Sequence, residues 1–203
     1  MSSKTTAQAR SIKQFVDGLC EIPEAQFRVG QVYEYIKNSP VDEHSLEPYL
    51  FFSNKHYTRN LIFKNSLFEL MAICWEVGQV SQIHNHHNQN CWMAIPQGKL
   101  RVQNFRVVDQ NEASGYCRLE PSDTVEIHQL LPAEVDPAEP VHRVLNLAKF
   151  DERAVSLHIY SRPFERCLVY SLETNQYQEI PLHYTSEYGK LCEGQTLCAN
   201  PVE

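Results

Sequence analysis

The chain has 203 residues, 42% hydrophobic, 10% aromatic and 21% charged. That is enough apolar surface for a sizeable core and too little charge for a disordered chain, and the length suits one domain, expected over residues 1–203. Eighteen Lys and Arg against 25 Asp and Glu leave a formal charge of −7, which argues against nucleic-acid or polybasic membrane-surface binding, since both need Lys and Arg to meet phosphate.

Ile12, Phe15, Val16 and Leu19 recur at i, i+3, i+4, i+7, and after Pro23 the set Val29, Val32, Tyr33 and Ile36 repeats the spacing. This predicts two amphipathic helices within about residues 5–40, the second stopped by Pro40. From about Tyr57 the chain turns to short β-rich runs: Thr58–Phe63, Phe68–Val77, Cys91–Pro96, Leu100–Val108, Val125–Leu131, His142–Leu147, Ala154–Ser161 and Cys167–Leu172. Pro-Gln-Gly at 96–98, Asn-Glu-Ala-Ser-Gly at 111–115 and Pro-Ser-Asp at 121–123 read as turns between them. Short strands without intervening helices predict a mainly β fold, an antiparallel sandwich or barrel over about 57–185. The tail after Tyr188 has no assignment.

No 7–15-residue apolar leader opens the sequence and no run approaches the ~18 apolar residues of a membrane span. Seven cysteines, an odd number with no CxxC pair, read as reduced thiols and place the protein in the cytoplasm. A monomer is expected.

Ile83-His84-Asn85-His86-His87 sets three imidazoles within four residues. On a strand, His84 and His86 share one face while Asn85 and His87 take the other. That is ligand geometry for a metal that prefers nitrogen; a polar surface loop is the plain alternative. Nitrogen ligands alone do not separate iron from zinc, nickel or copper. A second alternating stretch, Ser156-Leu157-His158-Ile159-Tyr160, puts a hydroxyl, an imidazole and a phenol on one face. Either it is a solvated outer face, or the three groups pass a hydrogen bond along the row. A serine nucleophile is disfavoured, since no carboxylate lies near in sequence and Ser156 sits mid-strand without a GxSxG elbow.

Reading outward from the pair gives Gly78-x5-His84-x-His86-x4-Cys91-x6-Gly98, with His142-x3-Asn146 further on. This resembles the two motifs of the cupin superfamily, with Cys91 where the first motif has an acid and without the glycines usual before His142. With Tyr57-Thr58-Arg59-Asn60-Leu61, Cys74-Trp75, His142-Arg143-Val144 and Ala154–Ser161 followed by Pro163-Phe164, the resemblance narrows to the cysteine dioxygenases of the thiol dioxygenase family, over roughly residues 25–190.

The resemblance implies a cupin, a jelly-roll-like antiparallel β-barrel, with N-terminal helices. It implies oxidation of L-cysteine by O2 to cysteine sulfinic acid at a non-haem Fe(II) held by His84, His86 and His142. Arg59, with Tyr57 on the same strand face, would bind the substrate carboxylate, for which a planar guanidinium is suited; a surface ion pair is the ordinary alternative. Cys91 and Tyr160 match a pair joined in one branch by a thioether, and the presence of both partners favours that cross-link over the alternative of a plain buried thiol at Cys91. Ser156 and His158 would position the Tyr160 hydroxyl, while Trp75 and Cys167 fall on family positions read as packing. Ser161-Arg162-Pro163 stands where eukaryotic members carry Ser-Pro-Pro, so a cis bond there does not follow from the sequence.

A 3-mercaptopropionate or broader thiol dioxygenase is the rival within the family. Outside it stands a non-catalytic metal- or ligand-binding cupin.

Overall fold

The computed structural model describes residues 9–27, 29–129, 132–135 and 141–194. The first residues of the predicted helical region (5–8), Leu130 and Leu131 at the end of one predicted strand, and residues 136–140 before His142 lie outside it. So does the end of the tail, 195–203.

Helix α1 (Ile12–Cys20) starts where Ser11 and Gln14 cap each other, the Ser11 hydroxyl accepting from the Gln14 N–H and the Gln14 side chain accepting from the Ser11 N–H at 2.9 Å. Its predicted stripe is the buried one: Ile12, Phe15 and Leu19. Helix α2 (Val29–Lys37) buries Val32 and Ile36 beside it.

Thirteen strands follow among the described residues: β1 (Thr58–Lys64), β2 (Glu69–Trp75), β3 (Ile83–His84), β4 (Asn90–Gln97), β5 (Lys99–Asn111), β6 (Tyr116–His128), β7 (Ala133–Glu134), β8 (Val141–Leu145), β9 (Ala154–Ser161), β10 (Arg166–Ser171), β11 (Gln176–Pro181), β12 (Ser186–Glu187) and β13 (Lys190–Leu191). One sheet is open, in the order β13-β12-β1-β2-β9-β4-β7; the other six strands, β10-β11-β6-β5-β8-β3, close on themselves because β3 pairs with both β8 and β10. This is the expected mainly β cupin class with N-terminal helices.

The turn expected at Pro121-Ser122-Asp123 is not one. These residues lie inside β6, where the pairing slips from Gln103↔Thr124 to Phe105↔Pro121. Two residues, Ser122 and Asp123, therefore face Asn104 alone, and Asn104 donates to the Asp123 carboxylate at 2.8 Å. The turn residues mark a bulge in one 13-residue strand. The turns at 96–98 and 111–115 do form. Gly98 (φ +74°) lies where a Cβ would meet the Arg153 carbonyl at 2.3 Å, and Gly115 (φ +66°) ends the β5–β6 hairpin loop.

Strand β9 is buried along its whole length because both of its faces are covered. Val155, Leu157 and Ile159 pack against Phe15, Leu19, Val32 and Ile36 of the helices, whereas Ala154 and Tyr160 join Met71, Ile73, Trp75, Met93 and Val144 between the sheets. Leu157 has no exposed surface. Leu157→Ala should therefore cost about 2–5 kcal/mol, read as a lowered denaturation midpoint in urea at an unchanged m-value.

Candidate metal centre

Register brings the predicted triad together. His84 on β3 is the direct cross-strand partner of His142 on β8, and His86 follows two residues later on the same side. The Ser81 hydroxyl accepts from the Val144 N–H at 2.9 Å, tying the approach to β3 onto β8. Asn85 points away and ties to β10, accepting from the Leu168 N–H at 3.1 Å. One nitrogen from each of His84, His86 and His142 lies within 4.8 Å of the others.

The electrostatics suit a cation. Burial, reinforced by the neighbouring imidazoles, holds His86 and His142 well below the usual histidine range; burial lowers His84 to about 4. All three rings are neutral at pH 7 and offer lone pairs. His84 Nδ1 lies 2.9 Å from the Gln82 carbonyl, which fixes that nitrogen as the donor and frees Nε2. Neither nitrogen of His86 or His142 has a hydrogen-bond partner, although both rings are buried. Unpaired buried imidazole nitrogens are costly unless they ligate something. With no carboxylate in the group, the donor set fits a borderline or redox metal and not Mg²⁺ or Ca²⁺.

Facing the triad is the polar side of β9, which the covered sheet turns inward. The Trp75 indole N–H donates to Ser156 Oγ at 2.9 Å, Ser156 Oγ lies 2.9 Å from His158 Nε2, and His158 Nδ1 lies 3.1 Å from the Tyr160 hydroxyl. An indole can only donate. Ser156 thus spends one lone pair on Trp75, and His158 bridges Ser156 and Tyr160 through its two ring nitrogens, one donating and the other accepting. At the end of the row the Tyr160 ring meets His86 at 5.1 Å between centroids. Cys91 on β4 is the direct cross-strand partner of Tyr160. Burial pushes both the thiol and the phenol upward, so both are protonated near neutrality.

The model of the family described as cysteine dioxygenase type I matches residues 1–173. The chain belongs to the cysteine dioxygenase type I family. It is 33% identical over 140 residues to cysteine dioxygenase type 1 of Danio rerio, covering 68% of each chain. It is 32% identical over 142 residues to that of Homo sapiens, covering 70% of this chain and 68% of the other. Among solved structures, a protein of Klebsiella pneumoniae with a double-stranded β-helix domain aligns over 57% of this chain and 85% of its own, with a TM-score of 0.44 and 14% identity.

The protein is accordingly a thiol dioxygenase enzyme with a three-histidine metal group. Arg59, the second residue of β1, turns its guanidinium inward, 3.6 Å from the Met71 sulfur. Its Nε is buried without a partner, and among the described residues no carboxylate stands within ion-pair reach of it. Its charge helps lower His84, His86 and His158, which places it beside the metal group. Tyr57 stacks on Trp75 at 4.7 Å, so the two aromatic family positions brace each other. Phe164 packs edge-on against Tyr160 at 5.1 Å, after a cis peptide at Ser161-Arg162. Cys167 is buried on β10.

Sequence reasoning passed over Glu69. It heads β2 with no exposed surface and pairs directly with Tyr160 across the sheet. The signal was present: one acid inside the apolar run Leu67–Trp75.

Buried neutral histidines also set an acid limit for the metal-free protein. Burial lowers His84 to about 4 and His158 to about 3 in the folded state, against ~6.5 in the unfolded chain. Above ~6.5 neither state binds these protons; below it the unfolded state binds more, so stability falls with pH until about 4 to 3. Melting temperature of the metal-free protein should drop steadily from about pH 6.5 downward, and His158→Gln should flatten the lower part of that slope.

Proposed function

We propose that this enzyme is an L-cysteine dioxygenase, in which His84, His86 and His142 hold Fe(II). Fe(II) held there would supply the redox chemistry for oxidation of the cysteine thiol by O2, with both oxygen atoms ending on sulfur as cysteine sulfinic acid. The observation that carries the reading is the pairing of a neutral three-imidazole face, two of whose rings have no hydrogen-bond partner, with an inward guanidinium that lacks a carboxylate.

The residues of the chain have separate tasks. Arg59 takes the substrate carboxylate by a charge-assisted, two-pronged contact, and Tyr57 walls that end of the cavity. Tyr160 presents its hydroxyl proton to the reacting atoms. Ser156 and His158 aim it, with Trp75 anchoring the row. The apolar residues of the two sheets exclude water. The lack of a carboxylate in the ligand set leaves the metal its full charge, which favours an anionic thiolate. L-cysteine and O2 are the partners, and six unpaired cysteines among the described residues suit a reducing cytoplasm. No described helix is long and apolar enough to cross a membrane.

Metal analysis joined to product identification tests the assignment. Iron-loaded protein given L-cysteine should consume O2 and yield cysteine sulfinic acid. Faster turnover of 3-mercaptopropionate would instead make it a dioxygenase of amine-free thiols, and binding without O2 uptake would make it a non-catalytic cupin.

Cys91 and Tyr160 are proposed to join during turnover. The S–H and a ring C–H are lost, a C–S bond forms, and O2 takes the two electrons and two protons. Intact wild-type protein should then weigh two hydrogens less than its sequence after turnover, whereas Cys91→Ser should keep its full mass. A full-mass wild type means that no thioether forms.

A further inference from the structure

The three histidines of the metal group are held in different ways. His142 lies inside β8, which pairs with β3 on one side and β5 on the other. His84 closes β3, and the Gln82 carbonyl, 2.9 Å from Nδ1, turns its ring. His86 has neither support: it lies two residues beyond the end of β3, and neither ring nitrogen has a hydrogen-bond partner. A metal-bound imidazole is ordinarily aimed by a hydrogen bond from its second nitrogen. Something else must aim His86.

Its backbone is pinned instead. On the upstream side Asn85 is tied to β10, its N–H donating to the Leu168 carbonyl and its side-chain oxygen accepting from the Leu168 N–H, both at 3.1 Å. On the downstream side His87 (φ +52°) and Asn88 (φ +62°) form a turn closed by the Gln89 N–H, which donates to the His86 carbonyl at 2.9 Å. Two successive non-glycine residues in the left-handed region are costly, and such a turn persists only where its surroundings fix it. The Gln89 side chain is that fixture. Its amide nitrogen donates to the His87 carbonyl at 3.2 Å, and its amide oxygen accepts from the Arg162 N–H. Arg162 is anchored in turn, its guanidinium donating to the Ser66 carbonyl at 3.1 Å and to the Glu24 carboxylate. Two residues past Arg162, the Phe164 ring stands 6.2 Å from the His86 ring and 5.1 Å from that of Tyr160. One contact, from Gln89 to residue 162, thus joins the turn after His86 to the loop that carries the aromatic ring beside it.

We propose that Gln89 is a positioning residue for the metal ligand His86, acting through its bond to the Arg162 N–H. It works on the backbone that carries the imidazole, where His84 is aimed through the ring itself. The bond needs an N–H at position 162, which a proline would not supply. This step rests on His84, His86 and His142 being the metal ligands.

Fe(II) affinity, measured under argon by competition with a coloured chelator, tests the role apart from turnover. Gln89→Ala should weaken Fe(II) binding ~10-fold, the low end of what loss of an outer partner costs. In Arg162→Ala the N–H remains, so adding Gln89→Ala should again cost ~10-fold. In Arg162→Pro the donor is gone, and adding Gln89→Ala should cost little more, the non-additivity expected of two partners in one bond. Metal-free Gln89→Ala should melt close to the metal-free wild type, because both lost bonds are exposed. Unchanged Fe(II) affinity in Gln89→Ala, the same factor in all three backgrounds, or losses of affinity that follow the metal-free melting temperature overturn the role of Gln89 alone. A wild type that does not bind Fe(II) overturns the ligand assignment and this inference with it.

Discussion

His142→Ala should abolish iron retention and activity together. His142 is the one triad member on β8, and its pairing with His84 sets the spacing of the group. Without it two imidazoles remain, too few to compete with water for a divalent ion. Loss of an outer partner of a metal ligand already costs ~10–100-fold in affinity, and loss of the ligand itself should exceed that. The fold should survive. Removal of an imidazole whose two nitrogens have no partner abolishes no hydrogen bond, so the metal-free variant should melt close to the metal-free wild type. Elemental analysis after iron loading, beside O2 uptake with cysteine, reads both effects. Full iron occupancy in His142→Ala would mean that the triad is misassigned.

The sequence showed most clearly what a single period expresses. Ile12, Phe15 and Leu19 of the first helical stripe and Val32 and Ile36 of the second became buried, and the i, i+2 spacing of His84 and His86 turned both rings to one side. What covers a face is a tertiary fact. The alternation in Ser156–Tyr160 allowed a solvated outer side, and only the helices packed on Val155, Leu157 and Ile159 show that the hydroxyl, imidazole and phenol look into the molecule. Strand β11 escaped notice because it is mostly exposed and shows no apolar period, and β12 and β13 are two residues each. Pro121 read as a break because a bulge and a turn use the same residues. Glu69 stayed hidden for another reason: its partners, Tyr160 and Tyr184, lie 91 and 115 positions away in the chain.

Arg59→Ala should separate substrates by the group that they lack. Arg59 has no carboxylate partner among the described residues to release, so its removal frees no buried acid; it leaves a void beside Met71 and a cavity without positive charge. A charge-assisted contact to a carboxylate is worth ~1.5–3 kcal/mol, which is ~10–10²-fold in affinity. KM for cysteine should rise by that factor. Cysteamine, which keeps the thiol and the amine but has no carboxylate, should lose far less. The field adds a second, opposite effect: Arg59 helps keep His84, His86 and His158 low, so its loss eases the burden on a bound cation and should leave iron content intact. That combination is diagnostic. A higher KM for cysteine alone, with iron retained, marks Arg59 as the carboxylate site. An equal loss with cysteine and cysteamine would mean that Arg59 holds up the cavity wall and does not read the substrate. Arg59→Lys should recover only part of the affinity, because one ammonium cannot make the paired contact that a guanidinium makes with both carboxylate oxygens.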